Sequence, residues 1–310
     1  MKRLHLPIFV LLAACGTDYD LNLEKDEEPA GEEDVEPDEE EDEEEDEEED
    51  ETEDDETDVG QDLADPVALC SVSPTTVRPI VDKADWIGTD SYDPEGGTIT
   101  TYNWSLTPPS GSAATMPGGS GPIRTNFEPD VAGTYIGELT VVTQDGRTSP
   151  PCTAELQAVP VEDLWIEMYW THGGDDMDLH LLRPGGTQAD LGDSFSTVPN
   201  DCFYGSCVDY GFGGLDWGVY GDASDDPALD LDDIPGSGPE NINVGSPESG
   251  TFQVFVHDYP GSVYSSGNPV TINIYVGGVL VHSDTKTITT EDSYTKYADI
   301  SWPAGTVTAY

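Results

Sequence analysis

The feature that most limits how this 310-residue chain can fold is an acidic stretch from Glu24 to Asp58. Within it, every residue from Asp38 to Glu51 is Asp or Glu. Such a segment has too little apolar surface to offset the entropy lost on folding, and repulsion between its carboxylates extends it. We therefore predict that residues 16–65 form a disordered acidic linker and that the folded part begins near Pro66.

The net charge restricts the classes of partner. Lys and Arg total 10 against 65 Asp and Glu, which gives a formal charge of -55. A surface of this sign repels nucleic acid and anionic membranes, so neither is expected as a direct partner. It attracts cations, and divalent metal ions are the expected class.

The first fifteen residues have the pattern of an export signal. Lys2 and Arg3 precede an apolar run from Leu6 to Ala14, which is much shorter than the ~20 residues that span a bilayer. The run ends in Leu12-Ala13-Ala14-Cys15, followed by Gly16. This ending resembles the lipobox of bacterial lipoproteins. The alternative is an ordinary signal peptide that contains a cysteine by chance.

The lipobox resemblance implies a lipid anchor on Cys15 and a bacterial outer-membrane or cell-surface location. Residues 1–15 would then be a signal peptide, and the lipid would be the chain's contact with the membrane. The acidic linker has two interpretations in this setting. It is a spacer, with loosely condensed Ca²⁺, or it resembles the acidic surface-export signals of some bacterial lipoproteins.

The cysteine count fits an oxidising compartment. Of five cysteines, four remain if Cys15 carries lipid, and four form two disulfides in an exported protein. Cys70 and Cys152 lie near the first and last strands of the region 66–160, so we predict a disulfide between them. Cys202 and Cys207 are predicted to form a short-loop disulfide.

The region 66–160 is predicted to be an immunoglobulin-like β-sandwich, because short β-favouring runs alternate with Gly, Pro and Asp. Three segments, Gly88–Gly96, Tyr102–Leu106 and Phe127–Tyr135, resemble the domains named after polycystic kidney disease (PKD). Glu95 departs from the family's usual Asp. The resemblance implies a spacer module, and Trp104 and Tyr135 are predicted to fill its core.

The turn containing Asp90, Asp93 and Glu95 has two interpretations. Carboxylates this close in sequence coordinate Ca²⁺ in some proteins. Alternatively, the Asp side chains cap their own turn.

The region 161–310 is predicted to be a second, jelly-roll-like antiparallel sandwich. The segments Thr251–His257 and Val270–Val276 largely alternate between apolar and polar residues, and Gly277-Gly278 is a hairpin turn signal. The predicted fold class is thus all-β, with two tandem β-sandwiches after a disordered acidic stalk.

Three segments of this second region, Asp176–His180, Leu229–Ile242 and Ser249–His257, resemble the YfaP-like bacterial β-sandwich domains. That family occurs in secreted and envelope proteins and has no settled activity. The resemblance therefore implies a fold and a cellular context but not a mechanism.

Carboxylates concentrate in the second region and suggest a metal site. On alternate residues of a strand, Asp230 and Asp232 would share a face and lie beside Asp176 and Asp178. Oxygen ligands favour Ca²⁺, and a solvated acidic rim is the alternative. The candidate ligands are Asp176, Asp178, Asp230, Asp232, Asp233 and Glu240. His180 and His257 lack a zinc-motif spacing and are predicted to be hydrogen-bonded strand residues.

Aromatic residues in the Gly-rich segment 203–220 are the candidate ligand platform. They are Tyr204, Tyr210, Trp217 and Tyr220. The alternative is that these rings cover one end of the sandwich.

The sequence as a whole predicts a non-catalytic envelope lipoprotein that binds a glycan or protein ligand or mediates adhesion. It is predicted not to be an enzyme, because no nucleophile elbow, Cys–His dyad or zinc-protease motif occurs. Two alternatives remain open: a carbohydrate-active hydrolase that uses paired carboxylates, and a purely structural envelope protein.

Overall fold

The computed structural model describes residues 63–193, 198–207, 214–234, 236–261 and 266–310. Cys15 and nearly all of the acidic linker lie outside the described residues. The described residues form four β-sheets, with one short α-helix, α1 (Tyr204–Cys207), and one 3₁₀ turn (Gln188–Asp190) among them. The predicted all-β class is therefore confirmed. No helix in this part of the chain is long and apolar enough to span a membrane.

The first sandwich consists of a three-stranded and a four-stranded sheet, in the orders β1-β3-β5 and β2-β7-β6-β4. β2 runs parallel to β7, whereas the other pairs are antiparallel. This arrangement is consistent with the predicted immunoglobulin-like sandwich. The strands are β1 (Ser71–Ser73), β2 (Thr76–Val77), β3 (Ala84–Ile87), β4 (Ile99–Thr107), β5 (Ile123–Phe127), β6 (Gly133–Thr143) and β7 (Cys152–Ala158).

The centre of this core is Trp86, a residue that the sequence did not single out. Trp86, Phe127 and Tyr135 are fully buried and contact one another through their rings. The prediction for Tyr135 is confirmed. Trp104 is only partly buried and packs against the edge of the core, where its Nε1 donates to the carbonyl oxygen of Pro122 at 3.3 Å.

In the acidic turn of the first sandwich, Asp93 is paired with a basic side chain of the same chain. Arg147 makes a two-pronged ion pair with Asp93, at 2.6 and 3.0 Å, and this pairing lowers the pKa of Asp93. The Asp93 carboxylate also accepts from the backbone N–H of Glu95 at 3.0 Å. The structure thus favours the capped turn over a Ca²⁺ site here.

The second sandwich consists of two five-stranded sheets, in the orders β10-β9-β13-β16-β17 and β11-β12-β8-β14-β15. Both are antiparallel, and their facing apolar side chains form the largest core. The strands are β8 (Leu164–Trp170), β9 (Met177–Leu182), β10 (Asp201–Cys202), β11 (Pro227–Leu231), β12 (Glu240–Val244), β13 (Gly250–Asp258), β14 (Asn268–Val276), β15 (Val279–Ile288), β16 (Ser293–Trp302) and β17 (Thr306–Ala309).

The predicted hairpin turn joins β14 to β15. Gly277 and Gly278 both have positive φ, at 56° and 77°. A two-residue turn with both residues in the left-handed region matches the twist of the flanking strands, and glycine adopts that conformation without strain.

Strand β9 is buried on both of its faces, and this places polar groups inside the protein. Leu179 and Leu181 point into the core between the sheets. Asp178 and His180 occupy the opposite face of the strand, yet they are only 3% and 0% exposed. Phe203 covers that outer face and stacks on the His180 ring, with centroids 4.9 Å apart.

Both predicted disulfides are present. Cys70 and Cys152 are bonded with a Cα–Cα distance of 5.9 Å, and Cys202 and Cys207 with a Cα–Cα distance of 5.0 Å. The first joins the entry of β1 to the start of β7, and the second closes a loop next to β10.

A buried carboxyl group links residues of the two sandwiches. Oε1 of Glu167, on β8, accepts from the backbone N–H of Ala132 at 2.5 Å and from Nε1 of Trp165 at 2.9 Å. Burial raises the pKa of Glu167 to about 7, and these hydrogen bonds offset only part of the rise.

We expect Glu167→Gln to make the protein more stable than the wild type above pH 7. The folded pKa of about 7 exceeds the ordinary value of 4.5, so the wild type loses stability as the pH rises from 4.5 to 7. The difference in unfolding free energy should reach roughly 3 kcal/mol at most and vanish near pH 4.5. Urea unfolding at several pH values measures it. Glu155→Gln, at an exposed site, is the control, and a pH-independent difference would contradict the account.

Candidate metal centre

Three carboxylates from separate parts of the second sandwich converge at one edge of β9. Asp178 lies on β9, Asp232 directly follows β11, and Glu240 begins β12. Each offers an oxygen, and these oxygens all lie within 4.8 Å of one another. Alternation along β12 directs Glu240 to the same side as Ile242, towards the opposite sheet. The fold therefore brings together side chains that are up to 62 positions apart in sequence.

Glu240 is the most constrained member of this carboxylate cluster. It is 1% exposed, and its Oε2 accepts from the backbone N–H of Leu179 at 2.9 Å. Its Oε1 is buried and meets no donor among the described residues. Burial, followed by the nearby charge of Asp178, raises the pKa of Glu240 well above its ordinary value.

Asp232, a member of the cluster, and Asp176, which lies outside the group of three, carry the same electrostatic signature. Burial raises the pKa of Asp176 to about 7, with further contributions from Asp178 and Asp232. Burial and the charge of Asp178 also raise the pKa of Asp232, which adjoins Glu240. Converging carboxylates with too few donors require either shared protons or a cation for neutrality.

Besides Asp176, two more of the six predicted ligands lie outside the cluster. The prediction for Asp230 is wrong: its side chain is exposed and accepts from Nδ2 of Asn243 at 2.8 Å. An irregularity in the strand pairing between Leu229 and Leu231 breaks the alternation on which the prediction relied. Asp233 accepts from the backbone N–H of Gly238 at 2.8 Å and thereby holds the turn before β12.

A second group of potential ligands shares Asp178. Ligand atoms of Asp178, His180 and His257 lie within 4.8 Å of one another, and all three residues are buried. Nδ1 of His180 is 2.8 Å from Oδ2 of Asp201, but its Nε2 is buried and has no partner in the part of the chain that the structure describes. The predicted hydrogen bonding of His180 is thus correct for one ring nitrogen and wrong for the other.

The predicted aromatic platform is largely absent. Trp217 is 1% exposed, because its segment folds back on the sandwich and its Nε1 donates to the carbonyl oxygen of Pro199 at 2.9 Å. Tyr204 is also buried and donates to the carbonyl oxygen of Asp193 at 3.1 Å. Tyr220 alone among the described members is open, at 94% exposed. Tyr210 lies outside the described residues.

Asp201 and Asp258 are part of this region but were missed from the sequence. Asp201 is fully buried. Its Oδ2 accepts from the backbone N–H of Gly192 at 2.9 Å and lies 2.8 Å from Nδ1 of His180. Burial, with the charges of Asp175 and Glu291, raises the pKa of Asp258 to about 7. Asp258 directly follows His257, and this adjacency was the available signal.

Comparisons with known proteins give little further guidance. No family model and no curated protein matches the chain. Among solved structures, it is similar to the Yersinia pseudotuberculosis adhesin InvE with 9% identity and a TM-score of 0.25. The match covers 72% of this chain and 60% of the adhesin structure, so the chain spans less than two thirds of that structure. A likeness this weak does not indicate a function.

Proposed function

We propose that this protein is a non-catalytic, lipid-anchored envelope protein whose second sandwich is a Ca²⁺-binding module that supports adhesion or ligand binding. The observation that carries the proposal is the convergence of the buried Asp178 and Glu240 with the more open Asp232, where an oxygen of Glu240 lacks a donor among the described residues. A bound cation supplies the positive charge that these groups otherwise lack.

The donor set favours Ca²⁺. All of its members are carboxylate oxygens, and Ca²⁺ takes six to eight oxygen ligands in flexible geometry. The charges of Asp178 and Asp232 contribute to the raised pKa of Asp176, so a cation bound at the cluster would also stabilise the charged form of Asp176. Asp232 is the most open member of the cluster and gives an ion a route in from solvent.

Burial also favours a cation over a glycan as the occupant. In a hydrolase, paired carboxylates must reach both sides of a glycosidic bond and leave room for the sugar. Asp178 is 3% and Glu240 is 1% exposed, so neither can contact a polysaccharide. This argues against the paired-carboxylate hydrolase at this cluster.

The remaining parts of the proposal rest on the sequence patterns. Cys15 would carry the lipid, residues 16–65 would act as the spacer, and residues 66–160 and 161–310 would be the PKD-like and YfaP-like modules at the outer membrane or cell surface. Tyr220, a member of the predicted platform that is 94% exposed, and its neighbour Val219, at 67% exposed, are residues that a glycan or protein ligand can reach.

We expect Ca²⁺ to raise the melting temperature of the wild type. The melting temperatures of the Glu240→Gln and Asp232→Asn variants should not change when Ca²⁺ is added. At 100 times its dissociation constant, a ligand adds roughly 2.7 kcal/mol of stability. Differential scanning calorimetry with Ca²⁺ and with excess chelator measures the shift. All chains keep the acidic linker, so cations condensed on it cancel in the comparison.

Asp230→Asn is the matched control, because Asp230 lies two residues from Asp232 but outside the cluster. Its response to Ca²⁺ should equal that of the wild type. Equal responses of the wild type and Glu240→Gln would mean that the carboxylates share protons, and the Ca²⁺ proposal would then be wrong.

A further inference from the structure

The shared carboxylate Asp178 also faces two histidines. Pairing of β9 with β13 sets His257 opposite Asp178 and Phe255 opposite His180. The two imidazoles are therefore diagonal neighbours on one face of the sheet, with ring centroids 6.0 Å apart and planes at 83°. Both are buried, at 0% and 1% exposed.

His180 has the surroundings of a metal-binding histidine. Its Nδ1 is held by Asp201, which is itself fully buried. In protein metal sites the ring nitrogen remote from the ion typically donates to such a carboxylate, which fixes the tautomer and the ring orientation. With Nδ1 protonated, Nε2 carries a lone pair, and this buried atom has no partner among the described residues.

His257 is held in a similar way from the other side. Its Nε2 lies 3.4 Å from Oδ1 of Asp292, and its Nδ1 lies 3.4 Å from Oδ2 of Asp178. Both distances exceed the 2.7–3.2 Å typical of hydrogen bonds from nitrogen. Stacking on Tyr294, with centroids 4.3 Å apart, fixes the plane of the ring.

We propose that Asp178, His180 and His257 form a binding site for a divalent transition-metal ion of the Zn²⁺ class. The ligand atoms are Nε2 of His180, Nδ1 of His257 and an oxygen of Asp178. Two imidazoles and one carboxylate suit a transition metal, whereas Ca²⁺ prefers oxygen alone.

The geometry requires only a small contraction. One potential ligand atom from each of the three residues lies within 4.8 Å of the other two, and tetrahedral bonds of about 2.0–2.1 Å place ligands roughly 3.4 Å apart. Side-chain rotation alone covers such a difference. The ion would fix β9 to β13 at the edge where the carboxylate cluster begins. This site goes beyond the Ca²⁺ proposal and shares only Asp178 with it.

The test is calorimetric titration of the full chain with Zn²⁺ without Ca²⁺, in high salt, which screens the charges of the acidic linker and leaves Asp178 free to bind Zn²⁺. The wild type should bind one Zn²⁺ tightly. His180→Gln and His257→Gln should each bind more than about 100-fold more weakly, since loss of an outer partner alone costs about 10–100-fold. Unchanged affinity in either variant would overturn the proposal.

Controls separate this site from the Ca²⁺ site. His282→Gln, on β15 of the other sheet, should bind Zn²⁺ as the wild type does. Asp232→Asn and Glu240→Gln should lose the Ca²⁺ response but keep Zn²⁺ binding, so each proposal fails independently of the other.

A measurement on the wild type covers the case in which the histidine variants do not fold. X-ray absorption of the Zn²⁺-loaded chain should show the scattering of two imidazole rings around the metal. A shell made of oxygen alone would overturn the proposal.

Discussion

Replacing Cys70 and Cys152 together by serine is expected to lower the free energy of unfolding by about 4–5 kcal/mol. The disulfide closes a loop across a sequence separation of 82 residues. In the chain-entropy model, a cross-link over a loop of this length lowers the conformational entropy of the unfolded state. This raises the free energy of the unfolded state by about that amount. Urea unfolding of the oxidised wild type and of the double variant measures the difference.

The Cys202–Cys207 disulfide provides the internal control. Its sequence separation is only 5, so the same model gives about 2 kcal/mol for the corresponding double serine variant. An equal or larger loss for the short loop would show that loop entropy does not account for the stabilisation by the Cys70–Cys152 bond.

Trp86→Ala is expected to destabilise the first sandwich by about 3–5 kcal/mol, the range for deleting a large buried aromatic side chain. Trp86 is 0% exposed, and its ring centroid lies 5.7 Å from that of Phe127 and 6.1 Å from that of Trp104. The opposite wall is Gly137, where a Cβ atom would lie 2.5 Å from the indole. No neighbour can readily collapse into the cavity that alanine would leave.

Trp86→Phe separates packing from hydrogen bonding. Nε1 of Trp86 is buried without a partner in the described structure, so phenylalanine removes volume but no hydrogen bond. We expect a much smaller loss than for alanine in urea unfolding. A loss equal to that of Trp86→Ala would mean that the indole nitrogen, rather than ring volume, matters at this position.

The sequence was sufficient to predict the sandwich architecture, because strand periodicity and turn chemistry are local. Gly277-Gly278 identified a hairpin, and the alternation in Thr251–His257 identified which face of β13 is apolar. Both disulfides followed from cysteine position and number. These features depend on neighbours in sequence, so they could be read without knowledge of the fold.

Burial of individual rings could not be read in the same way. Trp217 lies in a Gly-rich segment, which suggested exposure, but its indole packs in the core of the second sandwich beside Phe252 and is 1% exposed. Trp86 lies on the four-residue strand β3, too short for its alternation to stand out. Which ring occupies the centre of a core depends on how two sheets face each other.

The candidate site shows the same limit. Alternation predicted that Asp230 and Asp232 would act together, yet the irregular pairing around Asp230 separates them. The partner that Asp232 does meet, Glu240, approaches from another strand. The role of Asp201 behind His180 depends on the pairing of β10 with β9, which no sequence pattern indicated.

The central claim, a cation held by Asp178, Asp232 and Glu240, is tested most directly by a crystal structure of the full chain grown with Ca²⁺. We predict an electron-density peak with the anomalous signal of calcium, at about 2.3–2.6 Å from an oxygen of each carboxylate. Carboxyl oxygens that contact each other or water, with no such peak between them, would contradict the account.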